Sequence, residues 1–476
     1  MSSPTRPNPL TEGRIGKTLI FFSLPILAGN MLQSLNGTVN SIWVGRYLGE
    51  AALAATSNAN TVLFFLLGAV FGIGMAATIL IGQSIGAKNM AQAKRVVGTS
   101  ATFFIGMAVI ASVIGFFVTP HLLALMQMPA DALPLAVAYL RIIFVALPFM
   151  FGFAFLMMML RGAGDANTPF WFLLLCVVLD ILLNPLFIFG LGPVPALGIA
   201  GSATATLIAN VISLTAMLVY LYKKKNPLVL HRGEFDQLKP DPTILRALVV
   251  KGLPMGLQMI VISLSMIVMY SLVNHFGSQT TAAFGACMQM WNYIQMPSFA
   301  IMAAASSMAA QNVGAGRWDR VHGVARAGVG VNFLLTGTLV ALIYVFGYYG
   351  LALFLPNDPE TINIGLHINA EVVWSFAFFG VSMVLSGVVR STGAVVPPLV
   401  ILFIALWLVR MPFAWVMLPH WGADAVWWSF PLGSVASLFL TVAYYRYGGW
   451  HKAKMLAAAP KPPEPDLVAP VAAIEG

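Results

Sequence analysis

Residues 169–190 read PFWFLLLCVVLDILLNPLFIFG. As a helix this stretch is long enough to cross a hydrocarbon core of about 30 Å, and it carries a single charge, Asp180. Apolar and polar residues do not alternate along it, which excludes an outer-membrane barrel strand. Eleven further segments read the same way, at 18–45, 51–82, 96–119, 134–160, 199–222, 252–275, 281–310, 327–350, 363–389, 398–418 and 426–446. Across all 476 residues 59% are hydrophobic and 9% charged, where a soluble domain carries about a quarter charged. The composition predicts an all-α integral membrane protein with twelve transmembrane helices. It excludes a water-soluble enzyme, and no cofactor is expected.

The formal net charge is +9, but the basic residues lie between the spans and form no face or stripe of the kind that holds a phosphate backbone. No nucleic-acid partner is expected. With the N-terminus cytoplasmic, 22 of the 25 lysines and arginines fall on the cytoplasmic side, and Arg46, Arg141 and Arg410 are the remainder. The positive-inside rule then predicts a multi-pass protein of the cytoplasmic (inner) membrane with both termini cytoplasmic. The first span is too long for a signal-peptide core and no cleavage site follows it, so no segment is expected to be removed. Cys176 and Cys287 sit in apolar segments, one in each half, and offer neither a disulfide framework nor a thiolate metal site.

The longest polar connection, 223–250, separates an N-lobe (18–222) from a C-lobe (251–447); residues 1–17 precede them and an Ala/Pro-rich tail, 448–476, follows. The tail has too little apolar surface to fold and is expected to be disordered. The lobes repeat. Leu24-Pro25 returns as Leu253-Pro254, Gly49 as Gly277, Gln83 as Gln311, Gly86-Ala87 as Gly314-Ala315, and Arg161, Gly164 and Pro169 as Arg390, Gly393 and Pro398, at offsets of 228 or 229. Six spans per lobe bring both halves in from the same side. They are therefore parallel repeats about an axis along the membrane normal, with a cavity between them, the layout of many secondary transporters. A channel would more often gather several short subunits, and this chain is expected to act as a monomer.

Three motifs are decoys. Gly16-Lys17-Thr18 ends like a phosphate-binding loop, but Thr11 stands where that loop needs glycine and no strand precedes it. Asn36-Gly37-Thr38 spells a glycosylation acceptor inside an apolar span, out of reach of the chemistry. Gly68 and Gly72 form a GxxxG that reads as helix packing.

Leu24-Pro25, Val44-Gly45-Arg46, Ile81-Gly82-Gln83-Ser84-Ile85-Gly86-Ala87, Arg161-Gly162-Ala163-Gly164-Asp165 and Asn184-Pro185-Leu186-Phe187-Ile188-Phe189-Gly190 together resemble the multidrug and toxic compound extrusion (MATE) family. The resemblance runs from about residue 15 to 447 and includes both halves. It implies a twelve-helix exporter of bulky, often cationic or amphipathic compounds, driven by inward flow of H⁺ or Na⁺. The seventh span has no carboxylate, and the chain is similar to the DinF-like branch, whose coupling residues lie in the N-lobe. That branch usually has Asp near the end of its first helix, where this chain has Val39-Asn40-Ser41. Its fifth helix usually has Asn and then Asp four residues later before proline, where this chain has Asp180, then Asn184 before Pro185. The acid has moved by one turn.

Without the family, the residues point to the same region. Asn30, Gln33, Asn36 and Asn40 make one polar stripe along the first span, Asp180 and Asn184 share a face of the fifth, and Ser202, Thr206 and Asn210 line the sixth. At 1.5 Å per residue, Asn40, Asn184 and Thr206 lie about 9 to 11 Å below their outer ends, with Asp180 one turn deeper. A carboxylate near mid-bilayer costs roughly 2.5–3.5 kcal/mol and is a functional hypothesis by default. Two readings compete: a coupling site made of Asp180, Asn40, Asn184 and Thr206, or a neutral or capped Asp180 that only glues helices together. Asp180 with amide and hydroxyl oxygens would also suit Na⁺.

In the C-lobe, Arg410 lies roughly 12 Å deep. It either pairs with Glu371, near the outer start of the tenth span, or snorkels towards water. Met288, Gln289, Trp291, Asn292 and Tyr293 of the eighth span, with Asn36 and Gln33 of the first, are candidate cavity residues, since methionine repacks and rings attract cations. The alternative for such a stripe is ordinary packing. Pro25 and Pro254 are candidate hinges. The expected partners are small organic substrates, H⁺ or Na⁺, and membrane lipids. The leading function is an antiporter. Its rival is a lipid-linked oligosaccharide flippase, which needs a cationic cavity for phosphate and finds only Arg410 and Arg46 as candidates; a non-transporting receptor or scaffold leaves the duplicated polar pockets unexplained.

Overall fold

The computed structural model describes residues 10–126, 132–190, 195–231, 233–355 and 358–456. Among them there is no strand. The N-lobe consists of α1 (Ile15–Leu48), α2 (Glu50–Gly86), α3 (Met90–Leu125), α4 (Leu133–Ala163), α5 (Asn167–Phe189) and α6 (Ile199–Lys223). The C-lobe consists of α7 (Pro242–Asn274), α8 (Ser278–Gly314), α9 (Trp318–Ala352), α10 (Pro359–Val372), α11 (Ser375–Arg390), α12 (Val396–Phe403), α13 (Met411–Trp421) and α14 (Ala423–Tyr447). The repeat extends to lengths: α2 and α8 have 37 residues each, α6 and α14 have 25 each. It extends to backbone conformation as well. Gly49 and Gly277 turn between the first two helices of each lobe at φ of 88° and 92°, a region open to glycine because it has no Cβ.

By length and hydropathy nine helical spans among the described residues can cross a membrane, and a tenth follows if α10 and α11 count as one. These two meet at a 48° bend, so the tenth span, expected as one helix over 363–389, is broken at Val373 and Trp374. The helices α2 and α8 hold the second place in each lobe. The apolar stretch of α8 is diluted by its glutamine, asparagine and serine residues. The span that follows is irregular too: α12 runs into α13 through a π-helical turn, Ile404–Arg410, which adds a residue to the repeat.

The lobes meet mainly through α2 against α7 and α8, and through α1 against α8 and α9. Small residues make this possible. A Cβ on Gly72 would collide with the backbone of Gly252 and Gly256, one on Gly86 with the Gln311 carbonyl, and one on Gly314 with the Gln83 carbonyl. Each of α2 and α8 also sends one glutamine hydrogen bond across to the end of the opposite lobe's fourth span. Gln83 Nε2 donates to the Ser391 carbonyl at 2.6 Å, and Gln311 Nε2 donates to the Gly162 carbonyl at 2.9 Å. Each glutamine thus reaches the carbonyl that follows the last arginine of the opposite lobe's fourth span. The ends of the lobes that carry the termini are closed against each other.

That face is reinforced by segments outside the helices. Asn312 Nδ2 donates to the Leu10 carbonyl at 2.9 Å and Arg317 Nη1 to the Thr11 carbonyl at 2.7 Å, so the N-terminal segment lies across the C-lobe. The inter-lobe loop is shorter than expected, because Asp241 caps α7 by accepting from the Thr243 and Ile244 amides and Pro242 starts the helix. The loop docks on α3: Thr102 Oγ1 donates to the Leu238 carbonyl at 2.7 Å, and Lys94 Nζ lies 2.5 Å from Glu234 Oε1. That hydrogen bond from Lys94 holds the Glu234 carboxyl below the ordinary range.

The tail departs from expectation. Trp450 is fully buried, its carbonyl accepts from Thr392 Oγ1 at 2.9 Å, and Met455 is buried against the N-lobe core. Disorder from residue 448 onward is therefore incorrect for 448–456, where one tryptophan and one methionine supply the apolar anchor that the average composition hides. Residues 457–476 lie outside the described residues. Trp450→Ala is expected to cost about 3–5 kcal/mol and to lower the melting temperature of the detergent-solubilised protein. Ending the chain after residue 456 should leave that temperature unchanged.

Candidate functional site

In α1, Asn36 and Asn40 stand one turn apart, as do Asp180 and Asn184 in α5, and α5 packs against both α1 and α6. The three helices close on the Asp180 carboxylate. Oδ2 accepts from Asn36 Nδ2 and from Asn40 Nδ2, both at 2.9 Å, and Oδ1 accepts from Thr206 Oγ1 at 3.0 Å. Asn184 Nδ2 donates to Asn40 Oδ1 at 2.9 Å and to its own helix at the Asp180 carbonyl, 2.8 Å away. Asp180 is 2% exposed and Asn184 fully buried. The four residues expected to form one site are brought together, and Asn36, expected to line the substrate cavity, is a direct partner of the acid.

Three donors around one carboxylate satisfy its charged form. The shell is also rich in acceptors, since Asn36 Oδ1 and Asn184 Oδ1 are buried without a hydrogen-bond partner among the described residues. Such a site can take up a proton on the carboxylate or hold a hard cation among oxygens. Two neighbours escaped the sequence reading. Tyr139 of α4 lies close enough to interact with the Asp180 charge, and Cys176 stands one turn before Asp180 on α5, near Ser213. Nothing in an apolar span says which way a lone phenol or thiol faces.

The α8 stripe divides. Gln289 and Asn292 are exposed, Met288 is partly buried, and Gln33 of α1 is exposed. Tyr293 faces a different way, into an apolar groove of about 630 Å³ between α8 and α9, which it shares with Met290 and Phe346. Trp291 is not a cavity residue. It is 1% exposed, its indole donates to Asn369 Oδ1 at 2.8 Å, and it packs against Phe284, Phe376 and Phe430. Its size and the polar partner on α10 make it a core residue.

Glu371 and Arg410 do not pair. Glu371 Oε1 lies 3.4 Å from His367 Nε2. Nor does Arg410 snorkel: it is 3% exposed, its guanidinium sits 3.4 Å from the centre of the Phe430 ring, and Nε and Nη2 lack hydrogen-bond partners among the described residues. Pro25 and Pro254 fall inside α1 and α7 at equivalent places.

The sequence model of the MatE family matches residues 25–186 and 254–416, one block in each lobe. The chain belongs to the MATE family. Among similar MATE proteins, the probable multidrug resistance protein YoeA of Bacillus subtilis is 39% identical over 91% of this chain and 94% of its own length. The probable multidrug resistance protein YpnP of the same organism is 33% identical over 94% and 98%. A solved structure described as the outward-facing conformation of a multidrug resistance MATE family transporter superposes with a TM-score of 0.85 at 22% identity, covering 93% of this chain and 98% of that one. At that identity the likeness is one of fold. Both MATE blocks run into the fifth span of their lobe, which carries Asp180 in the first and Arg410 in the second.

A buried guanidinium without a counter-ion should be a net cost. Arg410→Met is expected to leave thermal stability in detergent unchanged or raise it, by up to about 1–4 kcal/mol. Arg390→Met should lower it, because Arg390 Nη1 donates to Gln258 Oε1 at 2.9 Å and Nε to the Ser386 carbonyl at 3.2 Å.

Proposed function

We propose that this MATE chain is an antiporter that exports bulky amphipathic or cationic organic compounds across the cytoplasmic membrane, with Asp180 as the residue that carries the coupling ion and H⁺ as that ion. One observation carries the reading: Asp180 is the one buried carboxylate among the described residues, and all three of its side-chain donors come from the neighbouring helices α1 and α6. Protonation removes the charge that Asn36 and Asn40 hold, so it loosens α1 from α5. Because α1 also packs on α8 and α9 of the opposite lobe, a change at Asp180 reaches the lobe interface through a single helix. Pro25 removes one helical hydrogen bond from α1 and gives that helix a place to bend. With both termini cytoplasmic, the closed terminal face is the inner one, and the proton shifts the balance between inward- and outward-open forms by its difference in affinity for the two.

Na⁺ is the second reading, favoured by the unpartnered oxygens of Asn36 and Asn184. The flippase reading loses its main support, because the guanidinium of Arg410 is stacked on Phe430 in the C-lobe core.

The test is export of a fluorescent organic cation from proteoliposomes under an imposed pH gradient, repeated under a Na⁺ gradient. Asp180→Asn is expected to abolish gradient-driven export while leaving binding of the fluorophore measurable. Asp180→Asn with Asn184→Asp should recover part of the rate. Export by Asp180→Asn at the wild-type rate would make Asp180 structural, and export driven by Na⁺ alone would replace H⁺ as the coupling ion. Cysteine labelling of residues 223–250 from the cytoplasmic side alone is expected, and labelling from outside would reverse the topology.

A further inference from the structure

We propose that His367, Glu371 and Asp424 form a binding site for a divalent transition-metal ion, Zn²⁺ above all, on the face of the C-lobe opposite the termini. His367 and Glu371 are one turn apart on α10 and so project from one side of it, and Asp424 is the second residue of α14, which opposes them. His367 Nε2 lies 2.8 Å from Asp424 Oδ1 and 3.4 Å from Glu371 Oε1, and one ligand atom from each residue falls within 4.8 Å of the other two. Ligands about 2.0–2.2 Å from a tetrahedral zinc stand roughly 3.3 Å from one another. Two of the three separations bracket that value, and a rotation of one carboxylate closes the third.

Charge and solvation favour an ion over a plain ion pair. Two carboxylates share one imidazole, which leaves the cluster with a charge of −2 when the ring is neutral, and a divalent ion cancels that. Glu371 Oε2 is buried and lacks a hydrogen bond of good geometry, although the Trp428 indole is close by. The Glu371 side chain is 14% exposed, whereas those of His367 and Asp424 are 53% and 47% exposed. The site therefore has a fixed inner ligand and an open outer side through which an ion enters and keeps water as its fourth ligand. One imidazole nitrogen among carboxylates selects Zn²⁺, Mn²⁺ or Co²⁺ over Ca²⁺ and Mg²⁺, which prefer all-oxygen shells. A bound ion would tie α10, the outer half of the broken span, to the start of α14.

The experiment uses the full chain, purified in detergent and freed of metal with a chelating resin. Zn²⁺ is titrated calorimetrically, and Co²⁺ is added as a spectroscopic probe of the same ligands. One equivalent of Zn²⁺ should bind, and Co²⁺ should give a visible d–d absorption that Zn²⁺ quenches. His367→Ala and Asp424→Asn, both at half-exposed positions, should each weaken Zn²⁺ binding at least tenfold and remove the Co²⁺ band. His275→Ala, which changes a histidine at the end of α7 outside the cluster, should change neither. Failure of the wild-type protein to bind Zn²⁺ saturably, or binding by His367→Ala with wild-type affinity, would overturn the site. The wild-type Co²⁺ spectrum decides the matter even if a variant is lost to misfolding.

Discussion

A carboxylate inside a hydrocarbon slab finds no water to hydrogen-bond, so every stabilising contact has to come from the protein. In this chain that demand falls on Asp180, and three helices are arranged to meet it. Asn36 and Asn40 from α1 and Thr206 from α6 occupy both carboxylate oxygens, while Asn184, one turn nearer the outer end of α5, braces Asn40. Each donor fixes the rotation of its helix about its own axis. A charge at one point of α5 thereby orients α1, and α1 is the helix that runs between Asp180 and the opposite lobe.

The repeat gives the C-lobe a contrasting counterpart. The offset of 229 between Pro169 and Pro398 becomes 230 once the π-helical turn has added its residue, which sets Arg410 opposite Asp180. The offset of 224 between α6 and α14 sets Phe430 opposite Thr206. One lobe thus holds an acid against a hydroxyl at 3.0 Å and the other a guanidinium against an aromatic face at 3.4 Å. On the α1 side Asn36 corresponds to Ser265, whose hydroxyl is buried without a hydrogen-bond partner among the described residues. The N-lobe site is a polar network that satisfies both oxygens of its carboxylate, and the C-lobe equivalent is a cation–π contact in an aromatic core. Duplication supplied the frame, and divergence at a few positions left the one buried carboxylate among the described residues in the N-lobe.

Where the lobes touch, the symmetry is kept. Gly86 lies against Gln311 and Gly314 against Gln83, and the two glutamine side chains cross over to carbonyls of the opposite lobe. A contact of this kind is short-range and all-or-none, because backbone approach through glycine cannot be partly opened without exposing the carbonyls. Closure at the terminal face is further tied by Leu10 and Thr11 on one side and by Trp450 and Met455 on the other.

The sequence by itself determined the membrane class, the two lobes and the core of the polar site. Those features depend on local rules: length sets a span, the 3.6-residue period puts Asp180 with Asn184 and Asn36 with Asn40, and 1.5 Å per residue brings their depths level. The tertiary structure decided the rest: Trp291 turned inward while Gln289 and Asn292 stayed exposed, Glu371 joined His367 and Asp424 and left Arg410 to Phe430, the tenth span broke, and Trp450 anchored the start of the tail. In water, a helix declares its buried face by its apolar residues. In a membrane, lipid and protein core are equally apolar, so an apolar stripe does not say which way it points. Only packing against particular neighbours settles that, and it is the reason the site could be read where polar residues mark a face and could not be read where aromatic and methionine residues surround the helix.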